Sequence, residues 1–153
     1  MIVHENEPIT LIGWAELTTQ TINRARGGAD AALVNDLIPK AVIGDFDSLS
    51  DWARGQLPED SLHPIPEQDS TDFDKCLRNI AAPLVIGIGF SGARLDHQLA
   101  AYNSLVRHPH RRCILLGREE LVFLAPPELR LDLPEGCEIS LFPMGAVEGL
   151  SDG

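Results

Sequence analysis

Ala41-Val42-Ile43-Gly44-Asp45-Phe46-Asp47-Ser48-Leu49 is the stretch on which the reading of this chain turns. Its apolar opening, Ala41-Val42-Ile43, reads as a buried strand. Side chains along a strand alternate between its two faces, so Asp45 and Asp47 are expected to point the same way at its end. Two adjacent carboxylates repel unless a cation or a proton lies between them. At neutral pH a hard divalent ion resolves that repulsion, with Mg²⁺ the first candidate. Mg²⁺ held by few carboxylates completes its shell with water and phosphate oxygens. A second acidic run, Gln68-Asp69-Ser70-Thr71-Asp72-Phe73-Asp74-Lys75, repeats the theme. Together the two runs point to phosphate chemistry.

Working outward, short apolar strands alternate with helical stretches. Pro8 to Gly13 reads as a first strand, and Gly27-Gly28 opens a helix through Asp30-Ala31-Ala32-Leu33. Ser50 to Gln56 forms a short helix with Ser50 as its N-cap. His63 to Pro66 is extended, Thr71 to Ile80 helical, and Pro83 to Gly89 a fully buried strand. Arg94 to Val106 is the clearest helix, with Leu95, Leu99, Tyr102 and Leu105 or Val106 along its apolar side. This alternation predicts an α/β fold: a Rossmann-like parallel sheet with helices on both faces, and ligands at the carboxyl ends of its strands. After Arg111 the pattern changes to short strands between Gly or Pro turns: Cys113 to Leu116, Leu121 to Leu124, Glu128 to Asp132 and Glu138 to Phe142. We therefore divide the chain into an α/β unit over 1–110 and the first strands of an antiparallel β domain over 111–153.

Composition narrows the partners. Of 153 residues, 44% are apolar, enough for a core, and 12 Lys plus Arg stand against 23 Asp plus Glu, a net charge of −11. So acidic a chain is a poor match for nucleic-acid backbones or anionic membrane surfaces, both of which need basic patches. Handling polyanionic phosphates would then require metal ions between the two. Cys76, Cys113 and Cys137 show no metal-site spacing and read as reduced thiols. The N-terminus carries acids where a secretory signal carries bases, and no apolar run approaches the ~20 residues that span a bilayer. The expectation is a cytoplasmic protein.

Gly87-Ile88-Gly89-Phe90-Ser91-Gly92-Ala93-Arg94-Leu95-Asp96-His97 joins a buried strand to a helix. Its glycines let backbone N–H groups approach a phosphate, though it lacks the Gly-Lys-Ser/Thr of a Walker A loop. Arg94 has the planar fork that binds two phosphate oxygens at once. Plainer roles stand beside these: Asp69 or Thr71 capping the helix at Asp72, Asp74 and Lys75 solvated, His97 structural, and Cys76 a small core residue.

In this order the three motifs resemble those of the thiamine pyrophosphokinase family, and Gly27-Gly28-Ala29-Asp30 is similar to that family's Gly-Gly-Ala-Asn/Asp turn. Ser140-Leu141-Phe142-Pro143-Met144-Gly145 resembles the strand that opens its thiamine-binding domain. The resemblance implies Mg²⁺-dependent transfer of pyrophosphate from ATP to the hydroxyl of thiamine, releasing AMP. It also implies a homodimer. It makes Asp45, Asp47, Asp69 and Asp72 the metal-holding and catalytic acids, with Asp72 as one choice of base. Gly27, Gly28, Asp45, Thr71, Gly92, Arg94 and Asp96 would line the ATP site, and the thiamine-binding residues are not assigned. Losing one of the metal-holding acids is expected to cost orders of magnitude in rate, and Asp74→Ala little.

The chain departs from the family pattern at Arg26, where an acid is usual, in the short polar segment from Trp14 to Arg26, and at Ala93, where a glycine is usual. The family's thiamine-binding domain would continue past Gly153. Two other readings remain: a non-catalytic nucleotide-binding or oligomerisation module, and a haloacid-dehalogenase-type phosphatase with Asp45 as nucleophile.

Overall fold

The computed structural model describes residues 1–13, 27–92 and 94–148. In chain order the elements are β1 (Val3–His4), β2 (Ile9–Ile12), α1 (Gly28–Val34), β3 (Val42–Gly44), α2 (Asp51–Gln56), a 3₁₀ turn (Glu59–Ser61) and β4 (Leu62–Pro64). Then follow α3 (Asp72–Asn79), β5 (Ile80–Ala81), β6 (Val85–Ile88), α4 (Leu95–Arg107), β7 (Cys113–Leu116) and β8 (Leu121–Phe123). Arg26, the Trp14 to Arg26 segment, Ala93 and the terminal Ser151-Asp152-Gly153 lie outside the described residues.

Parallel pairing dominates, as expected of βα alternation. β2, β6 and β7 run parallel in one sheet, with Ile9 opposite Val85 and Val85 opposite Cys113. β3 pairs in parallel with β4, Val42 opposite Leu62, and β1 with β5, Val3 opposite Ile80. Pro64, which cannot donate a ladder bond, sits at the last position of its strand, where that lack is tolerated. β7 extends the parallel sheet and so continues the first unit, while β8 returns antiparallel to it through Ile114 opposite Phe123. The two-residue β1 and β5 are too short to leave a periodic signal, and the sequence reading placed neither.

The core joins α3, α4 and the β6–β7 strands: Phe73, Leu77, Ile80, Val85, Ala101, Leu105, Cys113 and Leu115 are buried together. α3 packs against β3, β5 and α4. α4 turns inward only part of the apolar side marked in its sequence: Leu105 is buried and Tyr102 packs on the core. Leu95 and Leu99 are exposed, and the buried stripe is Ala101, Ser104 and Leu105. Small residues let the helix approach closely, and the Ser104 hydroxyl satisfies itself by donating to the Ala100 carbonyl at 2.9 Å.

Beyond Leu124 the described residues form no strand. Leu129, Leu131, Ile139, Leu141 and Phe142, which alternate or cluster as strand residues would, are exposed. A strand exists only where a neighbour accepts its ladder, and among the described residues nothing pairs with the outer edge of β8. The strands expected over Glu128 to Asp132 and Glu138 to Phe142 are therefore absent here. No helix among the described residues is long and apolar enough to cross a membrane.

Candidate functional site

The chain leaves β3 at Gly44 and turns sharply. Phe46 adopts φ 69°, a left-handed conformation rare for an aromatic residue. That turn brings the Asp47 N–H back to donate to Asp45 Oδ1 at 3.1 Å. Asp45 and Asp47 thus share a turn just past the strand; they do not lie on one strand face as alternation predicted. The Arg54 guanidinium lies 5.7 Å from the Phe46 ring centroid and helps hold the ring. Behind the turn, the buried Asp30 of α1 accepts the Ser50 N–H at 3.2 Å, and the Ser50 hydroxyl caps α2 by accepting from Ala53 N–H.

The second acidic run meets the first through α3. Thr71 is the N-cap, its hydroxyl accepting from Asp74 N–H at 3.2 Å, which decides between the two capping candidates. Asp72 in the first turn stands beside Gly44, close enough that a Cβ at position 44 would lie 2.8 Å from its carboxylate. Only glycine lets the end of the strand approach that carboxylate.

Neither Lys75 nor Asp74 is solvated, contrary to the sequence reading. Lys75 is fully buried, and its Nζ donates to Asp45 Oδ2 at 3.2 Å and to Asp72 Oδ1 at 3.0 Å. Burial alone would lower the ammonium, but the Asp72 and Asp45 carboxylates outweigh it and raise its pKa. Asp45 is held below the ordinary carboxylate range, first by the Asp47 N–H and then, against partial burial, by Lys75 and Gln68. Asp74, also buried, clamps α3 to the end of α4: His108 Nε2 lies 2.9 Å from Oδ1, Arg107 pairs with the same oxygen at 3.4 Å, and Arg78 Nε stands 3.0 Å from Oδ2. The period of α3 gave no sign of either burial, because both depend on what β3 and α4 bring to the helix.

A cavity of about 920 Å³ runs along β2 and β3, from Val3 and Pro8 to the loops that follow β2, β3 and β6. Asp45, Asp47, Thr71 and Asp72 line it, with Gly27, Gly28, Arg94 and His97. Gly28 packs so tightly that a Cβ there would lie 2.0 Å from the Ile12 carbonyl oxygen, so close packing alone accounts for that glycine. Arg94 forks onto Asp96, Nε to Oδ1 at 3.1 Å and Nη2 to Oδ2 at 2.5 Å, and both side chains are exposed. Gly92 donates its N–H to Gln98 Oε1 at 3.4 Å. Asp69 stands apart, beside a smaller hollow shared with Asp74 and Arg107. Cys76 lines the cavity, but burial first and Asp72 second push its thiol up to about 12, so it is neither a nucleophile nor a thiolate ligand at neutral pH.

No set of three or more His, Cys, Asp or Glu among the described residues is gathered to hold a metal ion. What the site offers is oxygen-only: Asp45, Asp47 and Asp72 on one cavity, two of them sharing the Lys75 ammonium. That donor set does not make a closed protein cage. It does fit Mg²⁺ held by one or two carboxylates and completed by phosphate oxygens.

Fold and site define a parallel α/β domain with an acidic, lysine-bridged site at the carboxyl ends of its strands. Residues 17–116 match the family described as "Thiamin pyrophosphokinase, catalytic domain", and the chain belongs to that family. It is 30% identical over 125 residues to thiamine pyrophosphokinase 3 of Oryza sativa subsp. japonica, an alignment covering 71% of this chain and 47% of that protein. With thiamine pyrophosphokinase 1 of Arabidopsis thaliana the identity is 29% over 131 residues, 74% of this chain and 49% of that one. The chain thus spans about half the length of the curated relatives it matches. The crystal structure of a thiamin pyrophosphokinase from Geobacillus thermodenitrificans matches at 26% identity and a TM-score of 0.46, covering 58% of this chain and 44% of that one.

Proposed function

We propose that this domain binds ATP with Mg²⁺ in the cavity and takes part in moving the pyrophosphoryl group of ATP to the hydroxyl of thiamine, yielding thiamine diphosphate and AMP. The observation that carries this reading is the Asp45–Lys75–Asp72 bridge on the cavity wall, in a chain of this family. Mg²⁺, held by Asp45, Asp72 or the neighbouring Asp47, would supply charge neutralisation for the triphosphate. Arg94 is free to exchange Asp96 for phosphate oxygens, since both are exposed. Asp45 accepts from three donors, the Asp47 N–H, Lys75 and Gln68, which draw on its lone pairs and disfavour it as a covalent nucleophile. Asp72 Oδ2 has no hydrogen-bond partner among the described residues and is the better acceptor for the proton of the attacking alcohol. Phosphoryl-type transfer rests on positioning and charge, so no covalent intermediate is needed. On the same reading the protein works in the cytoplasm as a homodimer.

Calorimetry with Mg²⁺–ATP and an assay of AMP release with thiamine test it together. Binding and AMP release, both lost in Asp45→Ala and Asp47→Ala, are expected; full turnover in either variant overturns the assignment. A binding-only module is the second reading. It is favoured by the lack of a three-ligand metal group among the described residues, and ATP binding without AMP would select it.

A further inference from the structure

Lys75 occupies an unusual place. It is the fourth residue of α3, near the helix N-terminus where the dipole disfavours a cation, and its side chain is wholly removed from solvent. It does not line the cavity, whereas both of its carboxylate partners do. The ammonium therefore sits away from the cavity, on the protein side of Asp45 and Asp72. It reaches no ligand; together with the long Asp45 N–H to Asp72 Oδ1 contact, it keeps the two acids together.

We infer that Lys75 is a positioning residue acting as a resident counter-cation: it holds Asp45 and Asp72 aimed at the cavity without metal, and it makes the site a weak binder of a bare divalent ion. Resting on the nucleotide reading above, this means the metal enters already carried on the phosphates of ATP. Two carboxylates alone present two negative charges to an incoming cation, whereas the bridged pair presents one. An incoming divalent ion also meets the repulsion of an ammonium already held 3.2 Å from Asp45 Oδ2 and 3.0 Å from Asp72 Oδ1. Phosphate oxygens restore what the protein withholds, because they bring both ligands and negative charge.

Mn²⁺ alone, counted by electron paramagnetic resonance without nucleotide, gives the direct test. The wild-type chain should take up Mn²⁺ weakly, Lys75→Met should bind it about tenfold or more tightly, and Lys75→Arg should resemble wild type. A merely structural role predicts the reverse for Lys75→Met, since a damaged site loses metal. Equal or weaker Mn²⁺ affinity in Lys75→Met overturns the inference. Should that variant fail to fold, the ¹⁵N signal of the Lys75 ammonium in the wild-type chain decides. It should move on adding Mg²⁺–ATP and stay in place with Mg²⁺ alone at the same concentration; an equal response to Mg²⁺ alone overturns the inference. If the wild-type chain binds no Mg²⁺–ATP, both this role and the nucleotide reading fall. If it binds Mg²⁺–ATP while Lys75→Met leaves Mn²⁺ affinity unchanged, only the role of Lys75 falls.

Discussion

At Gly44 the absence of a side chain decides how the site is built. A methyl group there would press on the Asp72 carboxylate, and since α3 is fixed by its core residues, the carboxylate must give way. Gly44→Ala should therefore fold, at a cost of about 1 kcal/mol, yet lower turnover on the order of ten- to a hundredfold through misplacement of Asp72. Urea unfolding beside an AMP-release assay separates the two effects. Asp45 makes a prediction in pH. Its native carboxyl is held below 3.8, so its contribution to stability is fully present above that value and is lost as pH falls through the lower native value. In acid titrations monitored by thermal melting, Asp45→Asn should lack that component, and wild type should lose it only below the ordinary carboxylate range. The acidic residues themselves were legible, because acids beside an apolar run have few structural uses. Lys75 was not: three residues after Asp72 on a polar helix, it reads as a surface charge until β3 is laid over it.

Helix by helix, the capping signals read true and the faces only in part. Ser50 and Thr71 cap the helices they precede because a side-chain oxygen one residue before a helix satisfies local N–H groups, whatever the tertiary context. Which face of α4 is buried depends on distant packing, and there the small Ala101 and Ser104 win over Leu95 and Leu99. Asp74 belongs to the same lesson, since its burial comes from the end of α4. Removing it leaves His108, Arg107 and Arg78 without their shared anion, although Arg78 and Arg107 keep contact with water. Asp74→Ala should thus destabilise the domain by about 1–3 kcal/mol, visible as a lower urea midpoint, with Mg²⁺–ATP affinity little changed. An unaltered midpoint would show that the clamp contributes nothing.

On the scale of the whole molecule, parallel pairing came through clearly because βα alternation is a long-range pattern written in every segment. The β-rich tail did not form, because alternation announces a strand only if something is there to pair with it. Residues 125–148 make no strand, and many of their apolar side chains meet water. Limited proteolysis should therefore cut first within 125–148 and leave a fragment ending near Phe123 with its near-ultraviolet circular dichroism intact. Early cleavage inside β6 or β7 would contradict that order. The free thiols also grade this architecture: Cys137 is exposed, while Cys113 is buried on β7, its thiol pushed up to about 12. An alkylating reagent will reach Cys137 at once and Cys113 only when the strands around it part, so the lag between the two labels times the breathing of the central sheet with no probe introduced.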